Sequence, residues 1–117
     1  MRIAAWKNVE GKNVTEPGAR GVTIRLLIDE SVGAPTFAMR RFEVAPGGCT
    51  PFHSHPWEHE VYVLSGKGKV RHRDGETEME EGFFVYVAPG EEHNFVNTGT
   101  VPLIFLCMIP VTRRCGQ

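Results

Sequence analysis

Apolar and polar residues alternate with a period of two along most of this chain, in short runs cut by glycine and proline. These runs, rich in β-branched and aromatic residues, predict strands over Val22–Ile28, Thr36–Val44, His59–Leu64, Lys67–Arg73, Glu76–Glu80, Phe83–Val87, Asn94–Asn97 and Leu103–Ile109. No segment keeps a 3.6-residue period for three turns, so helix should be scarce. Many short strands separated by turn signals predict an all-β sandwich or barrel, a single domain over residues 1–117.

Strand parity then sorts the residues, because successive side chains point to opposite faces. His59, Val61 and Val63 share one face, and Glu60, Tyr62 and Leu64 take the other. In "VPLIFLCMIP", Phe105, Cys107 and Ile109 lie on one side, and Ile104, Leu106 and Met108 on the opposite one.

One hairpin can be read in detail. In "KGKVRHRDGETEMEE", Asp74-Gly75 stands between two alternating runs as a two-residue loop suited to a type I′ turn. That register sets Arg73 opposite Glu76, Arg71 opposite Glu78 and Lys69 opposite Glu80, a ladder of opposite charges on one face. Each exposed pair contributes little. Together they neutralise the stripe of Lys67, Lys69, Arg71 and Arg73, which argues against a nucleic-acid surface. His72 falls on the other face opposite Thr77 and reads as an ordinary structural or exposed histidine.

Composition narrows the classes further. Hydrophobic residues make up 41% and charged residues 23% of the 117, the balance of a folded globular chain rather than a disordered one. A net charge of -1 and a pI near 6.5 give no footprint for nucleic acid or an anionic membrane. The opening "MRIAAWKNVEGKN" has too short an apolar run for a signal peptide, and nothing later could span a bilayer as a helix, so cytoplasmic residence is expected. Cys49, Cys107 and Cys115 are an odd number without C-x-x-C spacing, which argues against a disulfide framework.

The chemistry concentrates in "TPFHSHPWEHEVYVLSGKG", residues 50–68, which holds three of the five histidines. His53 and His55 present two imidazoles to one side of an extended segment. Pro51 and Pro56 fix the backbone around them, and after the Pro56-Trp57-Glu58 corner His59 opens the next strand. His93, in "APGEEHNFVN", would close the set from a different strand. Neutral imidazole is a common ligand for Zn, Cu, Fe and Ni, and buried imidazoles without partners would be costly. A shared metal ion fits the spacing better than a scatter of separate surface histidines.

At these residues the sequence resembles the cupin family. "GGCTPFHSHPWEHEVYVLSG" is similar to the first cupin motif, G-x5-H-x-H-x3,4-E-x6-G, through Gly47, His53, His55 and Gly66. "GFFVYVAPGEEHNFVN" is similar to the second, G-x5-P-x-G-x2-H-x3-N, through Gly82, Gly90, His93 and Asn97. Two departures stand out. Ala88 occupies the proline position, with the proline moved to Pro89, a swap within a turn. The acid slot of the first motif falls on His59 at one spacing and on Glu60 at the other; strand alternation favours His59, with Glu60 behind it or at an interface.

The resemblance implies a small antiparallel jelly-roll β-barrel with a mononuclear metal in its mouth, held by His53, His55, His59 and His93. In the similar small bacterial single-domain group that carries "HSHPWEHE", the ion is usually Mn(II). The affinity order of imidazole sites favours Cu(II), Ni(II) and Zn(II) over Mn(II) and Fe(II), so all five stay open. The resemblance also implies a homodimer, and a pocket wall that includes Phe105 and Cys107, with Arg40 near the mouth. Ile109 shares their face, and Trp57 would close the pocket or meet a partner chain. Glu91 and Glu92 would orient His93 or simply be solvated.

Four neutral ligands leave a divalent ion its full charge, which favours bound hydroxide, peroxide or an enolate-like oxygen. The favoured expectation is a redox oxygenase or dioxygenase acting on a small organic substrate, with apolar walls suited to an aromatic one. The alternatives are non-redox isomerisation or epimerisation of a sugar-like compound, and a non-catalytic module binding a small molecule or metal.

Overall fold

The computed structural model describes residues 1–111, so Cys115 lies outside the described residues. Nine strands run through it: β1 Lys12–Asn13, β2 Arg20–Ile28, β3 Phe37–Cys49, β4 His59–Ser65, β5 Lys67–His72, β6 Gly75–Glu80, β7 Phe84–Val87, β8 His93–Asn97 and β9 Leu103–Pro110. Among the described residues the helical pieces are two three-residue 3-10 turns, at Trp6–Asn8 and Glu30–Val32. The scarcity of helix and the eight expected strands are found, with ends moved by a few residues at most in all but β3.

The strands pair antiparallel in the order β6-β5-β8-β3-β9-β4-β7, with β2 added to β3 and β1 to β2. This sheet curls into a small barrel. Strand β3 makes the curl possible, because it pairs with β9 along Phe37–Val44 and with β2 from Met39, and beyond its bend Cys49 meets both Arg20 of β2 and Val96 of β8. The sequence pattern stops that strand at Val44, since Pro46-Gly47-Gly48 reads as a turn. The backbone instead continues through a bend. Gly47 adopts φ 79°, open to glycine at no steric cost, and a Cβ on Gly48 would lie 2.3 Å from the Arg20 carbonyl oxygen.

The β5–β6 hairpin corrects the expected register by two residues. Lys69 faces Glu78, Arg71 faces Glu76 and His72 faces Gly75, so the loop residues are Arg73 and Asp74. A type I′ turn would need positive φ at both, but only glycines take it here, Gly75 at 132°. A shift of two preserves strand faces, so the charges still share one side. The ion pairs run from Lys69 (2.9 Å) and Arg71 (3.9 Å) to Glu76. His72 Nε2 bonds Thr77 Oγ1 at 3.0 Å, an ordinary structural histidine.

Inside the barrel, parity is strict. On β4 His59, Val61 and Val63 are buried while Tyr62 and Leu64 are exposed. They meet Leu103, Phe105 and Cys107 of β9, and Val22, Val44, Val70, Met79, Val87 and Phe95 complete the core. Each such side chain taken fully out of water contributes roughly 1.5–3 kcal/mol. Outside, Trp6 lies over the guanidinium groups of Arg41 (3.6 Å) and Arg25 (4.9 Å), which buries Arg41 without a core position.

Candidate functional site

The segment between β3 and β4 has little regular structure of its own. It is held against β8 by backbone bonds: Thr50 N to Phe95 O at 3.0 Å, His53 N to His93 O at 3.1 Å and His93 N to His53 O at 3.0 Å. Side chains reinforce the seam, since Phe95 N donates to Thr50 Oγ1 and Asn94 Nδ2 to Thr50 O. Pro51 and Pro56, which cannot donate, fall where no ladder bond is asked of them. The loop before β8 is a type II turn, with Glu91 N bonded to Ala88 O, Pro89 at its second position and Gly90 at φ 81° at its third. Moving the motif proline to Pro89 therefore suits the turn. Glu91 Oε1 accepts from Ala88 N and closes it.

This scaffold brings His53, His55, His59 and His93 together. Ring centres lie 4.3 Å apart for His53–His55, 4.9 Å for His59–His93, 5.4 Å for His55–His59 and 5.5 Å for His53–His93. Two imidazoles bound side by side on one ion, with metal–nitrogen bonds of about 2.1 Å, would set their ring centres roughly 4.5 Å apart. The spacing of the rings suits a common ion. As the donors stand, no group of three His, Cys, Asp or Glu among the described residues is set to hold one; the rings would have to turn about χ2, a soft torsion.

The protonation pattern fits the same chemistry. His93 Nδ1 is 3.0 Å from the Glu91 carbonyl and His53 Nδ1 is 3.2 Å from Glu16 Oε2. The Glu91 carbonyl can only accept, so His93 Nδ1 carries a proton, which leaves the lone pair of the neutral ring on Nε2. His59 Nδ1 is buried with no hydrogen-bond partner. Burial, then the neighbouring charges of His93 and Arg40, pushes His59 down to about 3. Burial likewise lowers His55 and His93. Neutral imidazoles are the form that ligates.

The four rings line a cavity of about 260 Å³. Phe105, Cys107, Ile109, Arg40 and Trp57, all expected from the sequence, line it too. Trp57 stacks on His55 with ring centres 4.6 Å apart and planes 5° from parallel. Glu60 is on the other face of β4, beside Glu58, and the structure brings His59 rather than Glu60 to the cavity. Glu16, Val14, Val22, Phe42, Thr50 and Phe95 also line the cavity, beyond the residues that the sequence pattern indicates. Phe42 and Phe95 could have been found by parity. Glu16 sits in an aperiodic turn between β1 and β2 and gave no signal.

A family model for the cupin domain (Cupin_2) matches residues 40–109, more than half of the chain. The chain is a member of the cupin family. This cupin is 34% identical over 102 residues to the tetracenomycin polyketide synthase protein TcmJ of Streptomyces glaucescens, covering 86% of this chain and 68% of that one. Its fold matches the crystal structure of the polyketide cyclase RemF of Streptomyces resistomycificus with a TM-score of 0.90 and 38% identity, over 97% of this chain and 81% of the other. A shorter match, 45% over 65 residues, links it to the glucose-6-phosphate isomerase of Pyrococcus abyssi, covering 50% of this cupin and only 34% of the isomerase.

Proposed function

We propose that this cupin is a metal-dependent enzyme that closes a ring in a small polyketone-type substrate by enolate chemistry. The observation that carries this reading is the gathering of four imidazoles on the wall of a cavity that Phe42, Phe95 and Phe105 also line. His53, His55, His59 and His93 would hold the ion, and when bound it would supply a Lewis acid for acidic or carbonyl oxygens. Similarity to TcmJ and RemF supports cyclisation. The redox oxygenase expected from the sequence gains no support from these relatives, and the isomerase match keeps sugar-like substrates second because it spans half of the chain.

The reaction balances without an oxidant. A proton leaves the carbon between two carbonyls, that carbon attacks a third carbonyl carbon of the same molecule, and the attacked oxygen takes a proton. That carbon–carbon bond closes the ring, and loss of the new hydroxyl with the remaining hydrogen of the attacking carbon, as water, leaves a double bond in it. Glu16 is the one carboxylate on the cavity wall among the described residues, and its Oε2 already accepts from His53 Nδ1, so it is the group proposed to take the proton. The aromatic walls offer a planar product a stacking surface.

The test is metal content by elemental mass spectrometry on untagged protein, followed by turnover of a synthetic aryl polyketone. Near-stoichiometric Mn, Fe, Ni, Cu or Zn, with conversion that stops on chelation and consumes no oxygen, is expected. Full conversion by metal-free protein would overturn the metal-dependent reading, and oxygen uptake matched to turnover would restore the oxygenase.

A second copy of the chain is also proposed as a partner. Tyr62 and Leu64 of β4 and Phe84 and Tyr86 of β7 form an apolar patch on the outer face, Phe84 being 82% exposed. Light scattering should give twice the chain mass at micromolar concentration, and a monomer there would count against it.

A further inference from the structure

We infer that Arg40 binds a planar oxyanion of the substrate, the two oxygens of a carboxylate or of an enolised 1,3-diketone, inside this cavity. The inference rests on reading the cavity as a substrate site, but it does not depend on the ion. Arg40 and Cys107 pair directly between β3 and β9, and Val61 of β4 pairs with Cys107 in the same row. His59 lies two residues before Val61 on the same inward face, so the guanidinium sits next to the histidine cluster.

What surrounds Arg40 explains little of its presence. Its Nη2 donates to Cys107 Sγ at 3.0 Å, its Cζ is 5.0 Å from the Phe42 ring centre, and its Nε is buried without a hydrogen-bond partner. Burial pushes the Cys107 thiol up, so that sulfur is a neutral, weak acceptor. No carboxylate pairs with Arg40 among the described residues, whereas its neighbour Arg41 has Glu43 at 3.4 Å.

A guanidinium cannot shed its charge, and an unpaired one beside an apolar wall is costly. Its planar fork of donors matches two oxygens held in one plane, which a lysine ammonium cannot do. Phe42 and Phe105 stack in parallel, 5.2 Å apart and 17° from coplanar, next to that fork. A flat molecule carrying a delocalised oxyanion satisfies the charge and the walls together.

The experiment measures binding by quenching of tryptophan fluorescence, using the protein as purified and again after chelation. The carboxylate probe is 2-naphthoate, its neutral control is methyl 2-naphthoate, and 1,3-indandione at mildly alkaline pH represents the enolate. We expect 2-naphthoate, 1,3-indandione or both to bind at least about tenfold tighter than the ester, a difference of about 1.4 kcal/mol. That preference should survive chelation and disappear in Arg40→Gln, with the ester's affinity unchanged as proof that the cavity is intact. Arg40→Lys should recover only part of it, because charge without the fork is not enough. Equal binding of anions and ester by the natural protein would overturn the proposal. So would a preference that survives Arg40→Gln, and one lost on chelation would assign the oxyanion to the ion instead. Weak binding of every probe, the ester included, would count against the cavity as a site for flat substrates and so against the cyclase reading itself.

Discussion

His59→Ala lowers the affinity for a divalent transition ion by roughly a hundredfold or more, while Glu60→Ala leaves it within about twofold. The two residues are neighbours in sequence and competitors for one motif position, but β4 turns them to opposite faces. His59 is 4% exposed at the cavity, and Glu60 faces outward with Glu58, where burial and that second carboxylate raise its pKa. Competition against a fluorescent chelator measures the affinity. Far-ultraviolet circular dichroism shows whether each variant is folded, and His59→Gln keeps the size of the side chain if alanine does not fold. A large loss with Glu60→Ala and none with His59→Ala would show that a carboxylate, not a fourth imidazole, completes the set.

Asn97→Ala destabilises the barrel by roughly 3 kcal/mol, because it leaves one buried and two part-buried backbone groups without their partner, at about 1–3 kcal/mol for a fully buried one. Asn97 Nδ2 donates to Val44 O and Val101 O, both at 2.8 Å, and Asn97 Oδ1 accepts from Gly99 N at 2.8 Å. One amide thus ties the end of β8 to β3 and closes the turn that leads into β9. The residue belongs to the second cupin motif but lines no part of the cavity. Urea denaturation should show a lower midpoint with an unchanged slope, and the folded variant should bind metal as the natural protein does. Unchanged stability would mean that water replaces all three bonds.

Much of this was legible in the sequence because strands write their faces with a period of two. The shared faces His59-Val61-Val63 and Phe105-Cys107-Ile109 followed from parity, and burial shows that they point inward, Ile109 only in part. Features that depend on the approach of distant backbones were not legible. Gly48 looks like a turn residue until the Arg20 carbonyl is seen against it. The hairpin register slipped by two because Asp74-Gly75 is a strong local signal, and nothing in the sequence reveals that the turn uses Arg73 and Asp74 with negative φ. Strand β1, only Lys12–Asn13, is too short to carry a pattern and exists because β2 offers it an edge. The histidine cluster was readable as a set. The roles of its neighbours were not, since Glu16 reaches His53 across 37 positions of the chain.

The long strand β3 also limits how this molecule can move. It is bonded to β9 before its bend, to β8 after it and to β2 on both sides, with the bend held by a glycine that has no room for a side chain. The two halves therefore share a covalent spine and cannot hinge apart like the shells of a clam. If the cavity takes a ligand, the parts of its wall outside the paired strands, the turn carrying Glu16 and Trp57 on its histidine, are the ones free to admit it. Exchange rates of bound molecules should respond to changes in those two segments far more than to changes in the stiffness of the sheet.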